Sequence, residues 1–228
     1  MPISLPAPGS VIVVLVDPAL VGGDVTACLS AEEQKQAERF RFEKDAVHWR
    51  ACRAALRVVL GQALGIPPEA VAFEFGEFGK PMLPPPWDSL HFNLSHCRDL
   101  ALIALSRDGA VGIDVEPADR MGSLLGCEDA FCHPDEIAGL PAHLSMRSLL
   151  LLRHWTAKES LLKAVGTGMS LAPQSVSMTP MMQGGFSEDP RFSGIRAHCL
   201  DHRSLDDHVA WLSAPHTVCG VEFHEWPL

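Results

Sequence analysis

Tyrosine is absent from this 228-residue chain, no Cys-x-x-Cys pair occurs, and basic residues are few, 18 against 28 acidic ones. The shortage of positive charge leaves a formal net charge of −10. It argues against a nucleic-acid partner, which calls for a basic patch or stripe, but leaves room for a local basic pocket around phosphates. The seven cysteines therefore read as scattered reduced thiols of a cytoplasmic protein. Their densest groups, Cys127, Cys132 and His133, and His198, Cys199 and His202, lack the spacing of a four-ligand zinc site. Long apolar runs are missing too. Val11–Val16 fits a buried strand, and the four leucines at 149–152 are far too short to cross a bilayer. No basic region followed by an apolar stretch and a cleavage site opens the chain, so no membrane partner is expected.

What is present supports a packed interior. Hydrophobic residues make up 47% and charged residues 20%, which suits one large domain or two small ones sharing a core. Val11–Asp17 reads as a strand. Ser30-Ala31-Glu32-Glu33 is a capping box that starts a helix to about Phe40. A second helix runs from about Asp45 to Leu64, ended by Gly65 and by Pro67-Pro68. Val71–Phe75, Leu90–Leu94, Leu100–Ser106 and, after the Asp108-Gly109 turn, Val111–Glu116 read as strands. A long helix is predicted from about Met146 to Val165, with Ser145 as N-cap and Gly166 as terminator. Val176–Thr179, Phe192–His198, Val209–Ser213 and Val218–Phe223 are further strand candidates. The two long helices echo one another: Trp49 to Arg57 aligns with Trp155 to Lys163, equating Arg57 with Lys163, as two related halves would.

Four segments carry chemistry. In Gly112-Ile113-Asp114-Val115-Glu116, strand alternation turns the aliphatic residues inward and sets Asp114 and Glu116 on one face. Paired carboxylates repel unless a cation or proton joins them, and hard divalent cations favour such oxygen ligands. In Trp155–Lys163, Glu159 and Lys163 lie one helical turn apart on one face. The apolar flanks Leu149–Leu152, Leu161, Leu162 and Val165 place that pair on a cleft rather than in open solvent. Asn93-Leu94-Ser95-His96 ends a strand with side chains that can offer donors to phosphate oxygens. Gly76-Glu77-Phe78-Gly79-Lys80-Pro81 is a glycine loop with one positive charge, though not a Walker loop. Taken singly, each has an ordinary alternative: an acidic strand face, a surface ion pair, a polar turn, a plain loop.

In this order the segments resemble the 4'-phosphopantetheinyl transferase superfamily, in its larger monomeric branch that activates peptide and polyketide synthases. The match covers the Gly-Lys-Pro loop, the Asn-Leu-Ser-His segment, the Gly-Ile-Asp-Val-Glu strand, the Trp-x-x-Lys-Glu-x-x-x-Lys helix and the following Gly166, Gly168 and Ser170, roughly residues 30 to 180. The resemblance implies an α+β fold of two similar α/β subdomains about a pseudo-twofold axis. These would be residues 1–108, with the coenzyme A phosphate loops, and 109–228, with the metal strand and catalytic helix. It implies Mg²⁺ on Asp114, Glu116 and Glu159, and coenzyme A as substrate. Glu159, Lys163 and His96 are then catalytic. Lys80, Pro81, Asn93, Ser95, His96, Arg53, Lys158 and Lys163 would contact coenzyme A. The acceptor would be a serine of an apo acyl or peptidyl carrier protein, served by a monomer that holds a whole site.

Two features depart from the family pattern. Glu33 and Gln36 stand where basic residues usually grip the 3'-phosphate, and Ala46 and His48 stand where an arginine often lies near the adenine. An acidic chain must also meet acidic carriers, so an apolar patch near Leu124, Leu125 and Phe131 is expected to mediate recognition. Two rival readings remain at this level. A Mg²⁺-dependent phosphodiester or pyrophosphate hydrolase would use the same carboxylates with water as nucleophile. A non-catalytic carrier-binding relative would have no need of Asp114, Glu116, Glu159 and Lys163 together.

Overall fold

The structure, a computed structural model, describes residues 2–227. In chain order it contains β1 (Ser10–Val16), α1 (Ala31–Ala37), α2 (Glu43–Leu64), β2 (Glu74–Phe75), β3 (Pro81–Met82), β4 (His91–His96), β5 (Ala101–Ser106) and β6 (Gly112–Pro117). Then follow α3 (Glu128–Phe131), α4 (Pro134–Ala138), α5 (Leu144–Val165), α6 (Thr179–Met182), β7 (Ile195–Cys199), β8 (His208–Pro215) and β9 (Gly220–Glu225). Two sheets dominate, ordered β4-β5-β1-β9 and β6-β8-β7, with β2 and β3 forming a small hairpin.

The two-subdomain architecture is visible as one unit used twice. In the first copy a strand, a short helix and a long helix precede a hairpin, giving antiparallel order β4-β5-β1. In the second copy β6, α4, α5, β7 and β8 repeat that path, giving antiparallel order β7-β8-β6. Both long helices have 22 residues. Each ends on a glycine in the left-handed region, Gly65 at φ 68° and Gly166 at φ 79°, a conformation side chains with a Cβ resist.

One face of the first sheet, with Ile12, Val14, Ile103 and Leu105, packs on Leu56, Val59 and Leu60 of α2. Its other face, with Val11, Val13 and Leu102, meets Ile113, Val115 and Leu212 of the second sheet. Helix α5 covers the far side of the second sheet through Ala157 and Leu161 against Trp211. The last strand crosses the boundary between the halves: β9 pairs in parallel with β1. The chain's last strand thus belongs to the first sheet, not the second.

The true register of the repeat differs from the one the letters indicate. Arg57 and Lys158 occupy the same position of their helices, and each makes the same three contacts. Arg57 Nε donates to Glu33 at 2.6 Å, and its Nη1 donates to the carbonyls of Pro68 and Val71. Lys158 Nζ lies 2.7 Å from Glu136 and donates to the carbonyls of Pro173 and Val176. Both glutamates are the third residue of a short helix and close its capping box, on Ser30 and on His133. The Trp49/Trp155 alignment equated Arg57 with Lys163 instead, because an aromatic and a run of small residues recur by chance five positions out of phase.

Three local expectations also change. Ser145 lies inside α5, whose N-cap is His143. Only Glu74–Phe75 of the Val71–Phe75 segment is strand. Val176–Thr179 forms no strand, because side chains serve its backbone: Lys158 takes the Val176 carbonyl and Glu136 accepts from Met178 N–H at 2.7 Å. The Lys158–Glu136 pair is 1% and 0% exposed, so deleting one partner strands a charge in the interior. Glu136→Ala is expected to cost about 3–5 kcal/mol in urea unfolding, and a loss below about 1 kcal/mol would show that the pair is not structural.

Candidate active site between the two sheets

The site begins with a glycine. A Cβ on Gly112 would stand 2.1 Å from the Ser160 carbonyl and 2.3 Å from Ala164 N, so only glycine lets α5 press this closely onto β6. That approach lays Glu159 and Lys163 over the strand. Alternation along β6 buries Ile113 and Val115 in the shared core and turns Asp114 to the helix side.

The free edges of the two sheets meet here, joined by side chains. Asn93 Oδ1 accepts from Ile113 N–H at 2.8 Å, and Ser95 Oγ lies 3.4 Å from Val115 N. Ser95 Oγ donates to Asp114 Oδ1 at 2.8 Å. Lys163 Nζ donates to Asp114 Oδ1 at 2.6 Å and to Ser95 Oγ at 2.9 Å. Asp114 is 5% exposed, and its second oxygen, Oδ2, is buried without a partner. Such an orphaned carboxylate oxygen is costly unless a ligand completes it.

Glu116 Oε1 accepts from the indole Nε1–H of Trp155 at 3.0 Å and from the Arg120 guanidinium. Glu159 is half-buried, and burial raises its pKa above the usual carboxylate range. Asp114 and Glu116 push the same way, while Lys163 and Arg120 pull against them. Among the described residues, the clusters whose ligand atoms all lie within 4.8 Å of one another do not include this trio. Glu116 is engaged by Arg120 and Trp155. Even so, the hard oxygen donors and the orphaned Asp114 Oδ2 suit a hard divalent cation.

The remaining expected contacts lie in several surroundings. His96 ends β4 at the mouth of a cleft of about 480 Å³ that Phe40, Lys44, His48 and Arg98 also line. Its pKa is pushed down to about 4 by burial, His48 and Lys163, with Asp114 opposing. Lys80 and Pro81 line a second cleft, of about 530 Å³. Lys80 Nζ is tied to the carbonyls of Val111 at 3.0 Å and Ala164 at 2.9 Å, and burial lowers its pKa to about 8. Arg53 is engaged elsewhere, donating to Glu33 at 2.5 Å and stacking over Phe73.

Two expectations need correction. Lys158 cannot meet coenzyme A, because its ammonium sits in the buried pair with Glu136 on another face of α5 from Lys163. Leu124 and Phe131 form no exposed patch, since they are buried against Leu151 and Leu152. Sequence reading gave no role to Arg120 or to the Trp155 indole. The four-residue spacing of Glu116 and Arg120 was the available signal for the first.

Two family models match successive parts of the chain. The 4'-phosphopantetheinyl transferase superfamily model matches residues 110–216, and the model of the N-terminal part of such transferases matches residues 23–108. A 4'-phosphopantetheinyl transferase, HetI of Nostoc sp., is 34% identical over 176 residues, covering 75% of this chain and 73% of the relative. The 4'-phosphopantetheinyl transferase of Bacillus subtilis is 31% identical over 67% of this chain and 66% of its own length. The L-aminoadipate-semialdehyde dehydrogenase-phosphopantetheinyl transferase of Xenopus laevis is 30% identical over 65% and 53%.

The chain therefore belongs to the 4'-phosphopantetheinyl transferase superfamily. Its enzyme class is that of the 4'-phosphopantetheinyl transferases. Among the described residues, no helix is long and apolar enough to cross a membrane.

The raised pKa of Glu159 has a thermodynamic consequence. The native state holds this proton more tightly than the unfolded chain, so stability is lost as pH rises from about 4.5 through the native pKa. In metal-free buffer at pH 7, Glu159→Gln is expected to raise Tm by about 1–3 °C. The gain should vanish near pH 4, where both forms are neutral. An unchanged or lowered Tm at pH 7 would contradict the assignment.

Proposed function

We propose that this protein transfers the 4'-phosphopantetheine of coenzyme A to a serine of an apo acyl or peptidyl carrier protein, in a Mg²⁺-dependent reaction that releases 3',5'-ADP. The carrying observation is the buried, unpartnered Asp114 Oδ2 beside Lys163 and the high-pKa Glu159. Asp114, Glu116 and Glu159 are the residues that would hold Mg²⁺. Such an ion would supply positive charge to the pyrophosphate and to the leaving group as its charge builds.

The rest of the chemistry falls to side chains. The carrier serine is a poor nucleophile until its proton is removed. Glu159, half-buried on α5 one turn from Lys163, is the base that takes it. Lys163, one turn along α5 and bound to Asp114 at 2.6 Å, neutralises or protonates the departing phosphate. Ser95 fixes the Asp114 and Lys163 side chains in register, while Asn93 holds β6 in place through Ile113 N–H. His96, neutral at pH 7 with its pKa near 4, offers a hydrogen bond to phosphate without a formal charge.

The missing grip on the 3'-phosphate has a substitute in the same cleft. Lys44 lines it together with His48, His96 and Arg98, the last also paired with Asp119 at 3.2 Å, so Lys44 and Arg98 take over from the absent basic helix face. One copy of the chain contains every group named, which makes a monomer sufficient.

Mass spectrometry against a panel of apo carriers tests the reading. With coenzyme A and Mg²⁺ at least one carrier should gain about 340 Da, a single phosphopantetheinyl group. EDTA should abolish the gain, and Glu159→Gln should slow it by about 10²–10⁴-fold. Coenzyme A cleaved to 3',5'-ADP with no carrier gaining mass would instead identify a hydrolase. Lys44→Ala should raise KM for coenzyme A about tenfold with kcat little changed. An unchanged KM would remove Lys44 from the binding site.

A further inference from the structure

Three groups of soft or mixed ligands stand close together in this structure: His48 with Cys52 and His96, Cys97 with Asp99 and His208, and Cys132 with Glu136 and His154. The last is not free to bind, because Glu136 is taken by Lys158 and by the amides of His133 and Met178. In the second, His208 Nε2 is already engaged with Asp99 Oδ1 at 3.2 Å. The first remains, and nothing in the transfer chemistry uses Cys52.

His48 and Cys52 are one turn apart on α2, so their side chains share a face. His96, the last residue of β4, reaches the same point from the sheet. His48 Nε2 lies 3.3 Å from His96 Nδ1 and 3.6 Å from Cys52 Sγ. All three ligand atoms fall within 4.8 Å of one another. A tetrahedral zinc ion, with Zn–N of about 2.0–2.1 Å and Zn–S of about 2.3 Å, sets neighbouring nitrogens about 3.3 Å apart and a nitrogen and sulfur about 3.6 Å apart. The two separations made by His48 are those of a tetrahedral edge, and the third, between His96 and Cys52, lies within 4.8 Å.

We propose that Cys52, His48 and His96 form a second metal site, for a thiophilic divalent cation such as Zn²⁺, with its fourth position open to the cleft lined by Lys44 and Arg98. Its donor set is opposite in character to the carboxylate site: one sulfur and two imidazoles from a helix and a strand end, against hard oxygens. Cys52 is 1% exposed, and burial pushes its thiol up to about 12. Metal uptake therefore displaces a proton and tightens as pH rises. The ion would also engage His96, so the site adjoins the transfer centre without sharing its acidic ligands. The proposal does not depend on the transfer reaction, and its test contains no coenzyme A.

The test is a Co²⁺ titration of the reduced, metal-stripped full-length protein, followed by absorption. One equivalent should give the visible bands of tetrahedral Co²⁺ with a near-ultraviolet thiolate-to-cobalt charge-transfer band, both bleached by Zn²⁺. Cys52→Ser should remove the charge-transfer band, and His48→Gln should weaken Co²⁺ binding at least tenfold. Cys199→Ser, at an exposed cysteine, should retain it. Circular dichroism melts check that each variant is folded. Absence of a charge-transfer band in the wild-type protein, or its survival in Cys52→Ser, would overturn the site and leave a hydrogen-bonded trio. Co²⁺ on Asp114 and Glu159 would produce no sulfur band, so the two metal sites are told apart.

Discussion

Strand β6 is an edge strand whose outward amides would be left open, and β4, the edge of the other sheet, closes them with Asn93 and Ser95. Everything at the site follows from that junction. A regular ladder between β4 and β6 would have spent those amides on backbone carbonyls and fused the sheets. Side-chain closure joins them and also brings the Ser95 hydroxyl beside Asp114 and Lys163. Gly112 then allows α5 to descend until Glu159 and Lys163 overlie the strand. The site is assembled from both copies of the repeated unit, and neither copy contains it alone.

The repeat also explains how a chemically asymmetric site sits on a symmetric frame. Both halves use one stabilising device: a cation on the long helix, a glutamate that closes a capping box, and two carbonyls of a proline turn. That device sits away from the junction and serves stability. The residues at the junction differ between halves. Val58 and Gln62 hold the places in α2 that Glu159 and Lys163 hold in α5, counted from the helix starts. Function was therefore free to specialise on one helix while the shared frame stayed the same.

Much of this could be read before the fold was known. Alternation sets Asp114 and Glu116 on one face and helical spacing pairs Glu159 with Lys163, while the terminal glycines mark the ends of both long helices. What could not be read depends on partners distant in sequence. Lys158 stands next to Glu159 and looked equally available, but Glu136 captures it from a helix whose position no local pattern reveals. Val176–Thr179 has the letters of a strand, yet its carbonyl and amide are served by two side chains of that same pair. Nothing local indicated that β9 returns to β1. Nor did the seven cysteines show that Cys52 lies beside two imidazoles, because His96 arrives from the other end of the first half.

The central claim is that Asp114 Oδ2 and Glu159 face one cation across the joint between the halves. Anomalous diffraction from crystals soaked in Mn²⁺ and coenzyme A reads this directly. The account predicts one strong peak about 2.0–2.3 Å from Asp114 Oδ2 and a Glu159 oxygen, with pyrophosphate oxygens completing the shell. A peak placed elsewhere, or a Glu159 carboxylate turned away from Asp114 with no ion between them, would contradict it.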